Sequence, residues 1–204
     1  TKTITGSFSF TVNQNIRQGK LYNIRYGVFG STSHYAPDAS YFKLNPVLSF
    51  SFRENDFRMN KYKGLLFRQI YVNRQKTAFV TTADNEGYSV FDARFGSTSN
   101  EITRKFSYGT NLQLSSKFGK ISGTFEYRKL FDNNQQLNIR CYAGAFLYRN
   151  VNTDFFSFAL DRPTDYLFDY EYIGRSEKSG LFSQQIIIAE GGFKSKFKNP
   201  YANQ

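Results

Sequence analysis

The sequence predicts an all-β protein: an antiparallel, up-and-down transmembrane β-barrel of about nine or ten strands, incomplete in this chain. Three observations carry this expectation. Segments of about ten residues alternate in polarity from end to end, the period that puts successive side chains on opposite faces of a strand. Aromatic residues make up 19% of the chain, with 23 Phe, 15 Tyr and no Trp; both favour strands, and Tyr suits a membrane–water interface. No window approaches ~18 consecutive apolar residues, which excludes a transmembrane helix. The mean hydropathy of −0.53 is polar, but a barrel hides its apolar half in alternation.

The segment Leu137–Tyr148 shows the pattern. Leu137, Ile139, Cys141, Ala143, Ala145 and Leu147 fall on one face, and Asn138, Arg140, Tyr142, Gly144, Phe146 and Tyr148 on the other. A strand of roughly 9–11 residues with one apolar face matches what a tilted strand needs to cross a bilayer. Taken in order, Thr3–Asn13 alternates Ile4, Phe8, Phe10 and Val12 against Ser and Thr, and turns through Asn13, Asn15 and Gly19 into Leu21–Phe29. A polar loop is expected over Gly30–Ser40, then a strand over Tyr41–Arg53, where Pro46 points to an edge, a bulge or a weakened ladder because it lacks an N–H. Glu54–Gly64 reads as a charged turn. Leu65–Asn73 reads as a strand of unassigned facing, since Arg68 and Gln69 fall on opposite faces. Arg74–Gly87 is a connection. Tyr88–Gly96 and Ile102–Ser116 are paired through Ser97–Asn100, Lys120–Leu130 follows a short turn, and Asp132–Asn134 leads into Gln136–Tyr148. Residues 149–180 form a long inter-strand loop, and Leu181–Phe197 is the last strand, with a bulge at Gly191–Gly192. Connections alternate short and long, as in an outer-membrane barrel.

The 204 residues fit a single domain over 1–204. Thr1 falls inside a strand pattern with no signal peptide before it, and Asn199–Gln204 reads as a turn, so the chain is expected to be a piece of a longer polypeptide. The net charge of +11 calls for anionic partners: nucleic acid, acidic lipid headgroups or lipopolysaccharide. The positive charges are dispersed, and the densest group, Arg53, Arg58, Lys61 and Lys63, has Glu54 and Asp56 beside it. Outer-membrane lipid and lipopolysaccharide are therefore the expected partners, and nucleic acid is not.

The inventory for catalysis is poor. His34, in Ser31–Tyr35, is the one histidine and Cys141 the one cysteine, too few for a zinc site of those ligands. No HExxH, GxSxG, P-loop or GxGxxG motif is present. His34 reads as an exposed loop residue and Cys141 as a small residue on the apolar face. No catalytic residue, metal ligand or cofactor is expected, and the chain itself is not expected to be an enzyme.

Two groups of residues stand out for binding. Arg25, Lys43, Arg94, Glu126, Arg128 and Arg140 fall on polar faces. They are expected inside the barrel, either as a plugged lumen held by Glu–Arg pairs or as a cationic wall that favours anions. The loop run Asp161-Arg-Pro-Thr-Asp-Tyr-Leu-Phe-Asp-Tyr-Glu171 sets carboxylates among aromatics. Phe158, Asp161, Asp165, Tyr166, Asp169, Tyr170 and Glu171 are its candidate partner-docking residues, or a packed loop whose acids pair with Arg162, Arg175 and Lys178. The loop is too hydrophobic to stand free, and Phe155, Phe156, Phe158 and Leu160 must pack on the lumen, another domain or a partner.

From Tyr88 onward the chain resembles a known family. The runs Tyr108-Gly-Thr-Asn-Leu-Gln-Leu-Ser-Ser-Lys-Phe118, Phe155-Phe-Ser-Phe-Ala-Leu-Asp-Arg-Pro-Thr-Asp-Tyr-Leu-Phe-Asp169, Phe182-Ser-Gln-Gln-Ile-Ile-Ile-Ala-Glu-Gly-Gly192 and Asn199-Pro-Tyr-Ala-Asn-Gln204 carry the resemblance. They look like the C-terminal outer-membrane barrel region of gluzincin metallopeptidases, relatives of membrane alanyl aminopeptidases, in Gram-negative bacteria. In that family a separate peptidase domain holds zinc through HExxH and a downstream Glu, none of which is present here. The resemblance implies an outer-membrane anchor and scaffold, joined to further strands or domains of one polypeptide or to other outer-membrane proteins. A solute-binding or transporting barrel is the alternative, and a soluble basic sheet that binds anionic polymers a third.

Overall fold

The computed structural model describes residues 6–16, 19–36, 39–56, 59–74, 86–133, 135–151, 156, 158 and 166–169. These residues form one eight-stranded antiparallel sheet in up-and-down order: β1 (Gly6–Asn15), β2 (Leu21–Ala36), β3 (Ala39–Asp56), β4 (Met59–Arg74), β5 (Glu86–Asn100), β6 (Arg104–Leu114), β7 (Phe118–Leu130) and β8 (Gln136–Arg149). Every strand pairs with its sequence neighbour, and β1 and β8 do not pair with each other, so the sheet is open, as in an incomplete barrel. The fold is the expected all-β, up-and-down one. No helix among the described residues is long and apolar enough to cross a membrane, which says nothing of crossing by strands. The expected strand over Leu181–Phe197 and the Gly191–Gly192 bulge lie outside the described residues.

Alternation sets the register. On one face, here the outer face, stand Phe8, Phe10, Val12, Tyr26, Val28, Phe42, Leu48, Phe67, Phe91, Phe106, Ile121, Ile139 and Cys141. On the inner face stand Asn13, Arg25, Lys43, Asn45, Arg68, Asp92, Arg94, Gln113, Lys120, Glu126 and Arg140. A one-residue slip of any pair would exchange the two sets, so the pattern specifies the register strongly. Burial is inverted relative to a water-soluble sheet. Phe10 is 66% exposed on the outer face, while Asp92 is 0% exposed on the inner one.

Several expected boundaries are corrected. The supposed loop over Gly30–Ser40 is ladder: β2 runs to Ala36 and β3 starts at Ala39, so the His34 backbone belongs to a strand. Glu54–Gly64 is likewise mostly strand, with β3 ending at Asp56 and β4 starting at Met59. Ser97–Asn100 belongs to β5, which pairs through Asn100 with Lys105. In each case polar residues on both faces erase the alternation, yet backbone pairing continues because neighbouring strands still offer partners. The regular alternation of short and long connections is also absent, because short connections occur at both ends of the sheet. Ser115–Lys117 links β6 to β7 at the end opposite to Glu101–Thr103. In the β1–β2 turn Gly19 takes φ 93°, a conformation that a side chain would strain.

Pro46 weakens its ladder, one of the outcomes expected of it. Asn45 and Pro46 have partners on β2 but none in the β4 register, which jumps from Leu44↔Tyr71 to Val47↔Arg68.

Candidate functional site

The inner face is not bare. Phe156, Phe158 and Tyr166–Asp169 lie against it, and the hydrophobic cluster there joins Ile70, Val72, Tyr88, Val90 and Phe118 to Phe156, Tyr166 and Leu167. The cluster exists because four consecutive inner positions of β4 and β5 break the polar-inside rule: Ile70 faces Val90, and Val72 faces Tyr88. Phe158 reaches β8 at Gly144, where a Cβ would come within 2.9 Å of its ring. The side chain missing there makes the room the ring occupies.

Beside this apolar patch runs a polar row. Arg68, Asp92, Gln113 and Lys120 stand in direct register across β4, β5, β6 and β7. Asp92 is the hub. Its Oδ2 accepts from Arg68 Nε, Arg94 Nε lies 3.0 Å from the same oxygen, and Gln113 Nε2 donates to its Oδ1 at 3.1 Å. The covering segment then adds a second carboxylate. Arg68 donates to Asp169 in bidentate fashion, Nη1 to Oδ1 at 3.0 Å and Nη2 to Oδ2 at 2.7 Å, and Lys43 Nζ donates to Asp169 Oδ1 at 2.7 Å. Lys43 also donates to the Phe168 carbonyl at 3.0 Å. Bidentate Arg–carboxylate pairing is among the stronger hydrogen-bonded arrangements a protein makes, so Asp169 ties the segment to two strands at once. Burial alone would raise the Asp169 carboxyl, but Arg68 and then Lys43 outweigh it and hold the group below its ordinary value.

Tyr166 extends the network. Its hydroxyl donates to Gln113 Oε1, and its carbonyl accepts from the Tyr88 hydroxyl. Burial, then the charge of Asp92, pushes that hydroxyl upward, so it remains a donor. Lys120 Nζ donates to the Phe156 carbonyl at 3.1 Å and lies 4.3 Å from the Tyr166 ring centroid and 4.8 Å from that of Phe158, a cation held by aromatic faces. Phe168 takes φ 51°, a left-handed conformation rare for a bulky residue, and its ring stacks on Tyr41 at 4.0 Å. Such strain persists only where the surroundings fix it; here the Phe168 ring and carbonyl are both held by β3.

All six expected lumen residues share the inner face, but only two meet in the network. Lys43 and Arg94 bind the acids described above. Arg25 donates to Asn13 Oδ1 at 2.8 Å, Arg140 lies 3.7 Å from Glu126, and Arg128 faces Lys105 on β6. Of the expected docking residues, Phe158, Tyr166 and Asp169 dock on this chain's own sheet, and Asp169 is paired with Arg68 and Lys43 from that sheet. Asp161, Asp165, Tyr170 and Glu171 lie outside the described residues. Sequence reasoning passed over Arg68, Asp92, Gln113 and Lys120. Two-residue spacing from Arg94 leads to Asp92, and six residues back from Glu126 lies Lys120, so parity alone could have found both.

Among the described residues no group of three His, Cys, Asp or Glu side chains could hold a metal ion. Two buried amide oxygens on the inner face, Asn45 Oδ1 and Asn111 Oδ1, have no hydrogen-bond partner among the described residues, so the interior retains polar groups that water would satisfy. No protein-family model, curated protein or solved structure matches the chain.

Proposed function

We propose that this chain is a β-barrel segment of a Gram-negative outer-membrane protein that serves as anchor and scaffold, with its interior occupied by its own Phe156, Phe158 and Tyr166–Asp169. The observation that carries the reading is the inverted burial. Large apolar side chains cover the outer face, Phe8, Phe10 and Leu147 each more than half exposed, while a charged row is sealed on the inner face. Water would penalise such an arrangement, and hydrocarbon favours it. The length of the strands fits. Ten residues of β1 span about 34 Å at ~3.4 Å per residue, close to the ~25 Å apolar band of a barrel once tilted by ~40°. A charge placed at the middle of that band costs about 2–4 kcal/mol, and the described outer positions near mid-strand carry none. Gln69, a polar side chain on that face, donates to Ser89 at 3.0 Å.

The filled interior supports anchoring over transport, because Asp169 occupies the cations that would otherwise attract an anionic solute. On the family resemblance, the reading extends to a larger metallopeptidase-like polypeptide whose catalytic domain lies outside this sequence, with outer-membrane lipid, lipopolysaccharide and other outer-membrane proteins as partners. Extraction tests the core of the proposal. The chain should need detergent or lipid to remain dispersed; a single soluble species in plain buffer would overturn the membrane reading. In planar bilayers no steady current is expected. Anion-selective current lost on neutralising Arg128 and Arg140 would favour the transporting alternative. An HExxH…E domain upstream in the source reading frame would support the peptidase link.

A further inference from the structure

Two cations on the inner face stand without the partners that hold the others described above. The register places Lys105 of β6 directly opposite Arg128 of β7, with Asn100 of β5 beside Lys105 and Asn138 of β8 beside Arg128. The four positions form one inward row: an amide, two cations and an amide. Like charges directly opposite each other in a sheet repel, with Cβ atoms only ~4.5–5.5 Å apart. The other inward cations are answered. Asp92 or Asp169 holds Arg68, Lys43 and Arg94, the Phe156 carbonyl accepts from Lys120, and Glu126 faces Arg140. Lys105 and Arg128 make no hydrogen bond or ion pair among the described residues. The nearest carboxylates are engaged elsewhere or stand apart. Glu126, one inward position along β7, lies 3.7 Å from Arg140, and Glu101 accepts from the outward Arg104 at 3.0 Å. Asp132, in the turn after β7, pairs with neither cation.

All four side chains of the row can donate. Lysine and arginine carry donors only. Asn138 Oδ1 already accepts from Gln136 Nε2 at 2.7 Å, which leaves the Asn138 Nδ2 hydrogens to donate. A tetrahedral oxyanion suits such a set: an arginine fork spans two of its oxygens, and a lysine ammonium meets it as a point charge. The row is also separate from the docked residues. Lys120 and Arg128 are eight residues apart on β7, about 27 Å along the strand at ~3.4 Å per residue. Asp169, which takes Arg68 and Lys43, does not reach it. Between the two levels Gly64, Gly96 and Gly109 stand side by side in register on the inner face. A Cβ at Gly96 would meet nothing within 4 Å among the described residues, so the interior has room there for the body of a ligand. Thr98 and Ser107, directly opposite each other between these glycines and the charged row, present hydroxyls to that space.

We propose that Lys105 and Arg128, flanked by Asn100 and Asn138, bind the phosphate group of a small soluble phosphate ester that enters the interior from the end bearing the β5–β6 and β7–β8 turns. The site goes beyond anchoring, and it rests on the barrel reading only for its place on an aqueous interior. The micelle-folded full chain is titrated with inorganic phosphate and with glycerol 3-phosphate, against chloride and acetate at matched ionic strength, and its melting temperature is read. Both phosphates should raise it, because they bind the folded state alone; chloride and acetate should not. Lys105→Gln and Arg128→Gln should each weaken phosphate binding roughly tenfold. In phosphate-free buffer each should melt higher than the unaltered chain, since the opposed charges are gone. Lys105→Arg should bind normally, and Glu126→Gln should bind more tightly. Lys129→Gln, which removes the neighbouring outward cation, should change nothing. An equal response to acetate, or phosphate binding retained when Lys105→Gln and Arg128→Gln are combined, overturns the site and leaves the anchor reading standing. Phosphatidylglycerol that copurifies with the unaltered chain but not with the double variant reassigns the row to a lipid headgroup and overturns the soluble ligand. A chain dispersed in plain buffer overturns the membrane reading alone, because the same titration then decides the row without micelles.

Discussion

The two faces of this sheet are built from the same strands and obey opposite rules. On the outer face, neighbours across the ladder are apolar or aromatic pairs such as Phe10↔Val28, Leu48↔Phe67 and Tyr127↔Ile139, and each is interchangeable with another residue of similar size. On the inner face, position is specific. Arg68 must reach both Asp92 and Asp169, and Gln113 must accept from Tyr166 while donating to Asp92. An outer face that only has to be apolar tolerates substitution within that class, whereas a buried polar network is costly if any one member is lost. The difference separates an apolar face that tolerates exchange from a polar face whose partners are fixed.

That contrast is open to attack by substitution. The largest effect is expected for Asp92→Ala, which leaves Arg68 and Arg94 without their shared carboxylate; breaking a buried ion pair costs about 3–5 kcal/mol, readable as a lowered urea midpoint of the lipid- or micelle-folded chain. Next comes Ala143→Arg near the middle of β8 on the outer face, which should cost about 2–4 kcal/mol in bilayers; Ala143→Leu at the same site should change little. Gly144→Val, on the inner face, should displace Phe158, and a label placed at Phe158 should report its release while the sheet stays folded. The smallest effect is expected for Glu126→Gln, whose partner Arg140 is 3.7 Å away and exposed; such pairs contribute about 0–1 kcal/mol.

Acid offers a reversible version of the third experiment. The Asp169 carboxyl is held below its ordinary value of 3.8, so its contribution to docking is complete above that pH. It is lost only as pH falls further, through the lowered folded-state value. Hydrogen exchange at residues 166–169, corrected for the intrinsic rate, should therefore be flat above 3.8 and accelerate below it. Asp169→Asn should exchange fast throughout.

Where one face carries apolar side chains and the other polar ones, the alternation made strands legible. Thr3–Asn13, Lys120–Leu130 and Gln136–Tyr148 show this, and their facing follows from parity alone. The strand extensions at Ser31–Ala36 and Asn55–Asp56 were hidden because polar residues occupy both faces there and only backbone pairing defines the strand. Leu65–Asn73 was ambiguous for the opposite reason. Its inner positions Ile70 and Val72 are apolar because they meet Phe156, Tyr166 and Leu167, a contact made across more than eighty residues of chain and invisible in local periodicity. For the same reason Arg68 could not be assigned to the site. The hydrophobic character of the loop around Phe156 did reveal that it must pack on something, and the inner face is what it packs on.

Cys141 provides the most direct test of the central claim, since it is the one cysteine in the chain and stands exposed on the outer face opposite Phe125. In reconstituted vesicles, a fluorophore on Cys141 should be quenched by brominated acyl chains and sheltered from an aqueous quencher. The same fluorophore at Arg140→Cys, in a Cys141→Ser background, should escape the brominated lipid. Quenching of the Cys141 label by the aqueous reagent, with no response to brominated chains, would contradict a lipid-facing outer surface and with it the anchor reading.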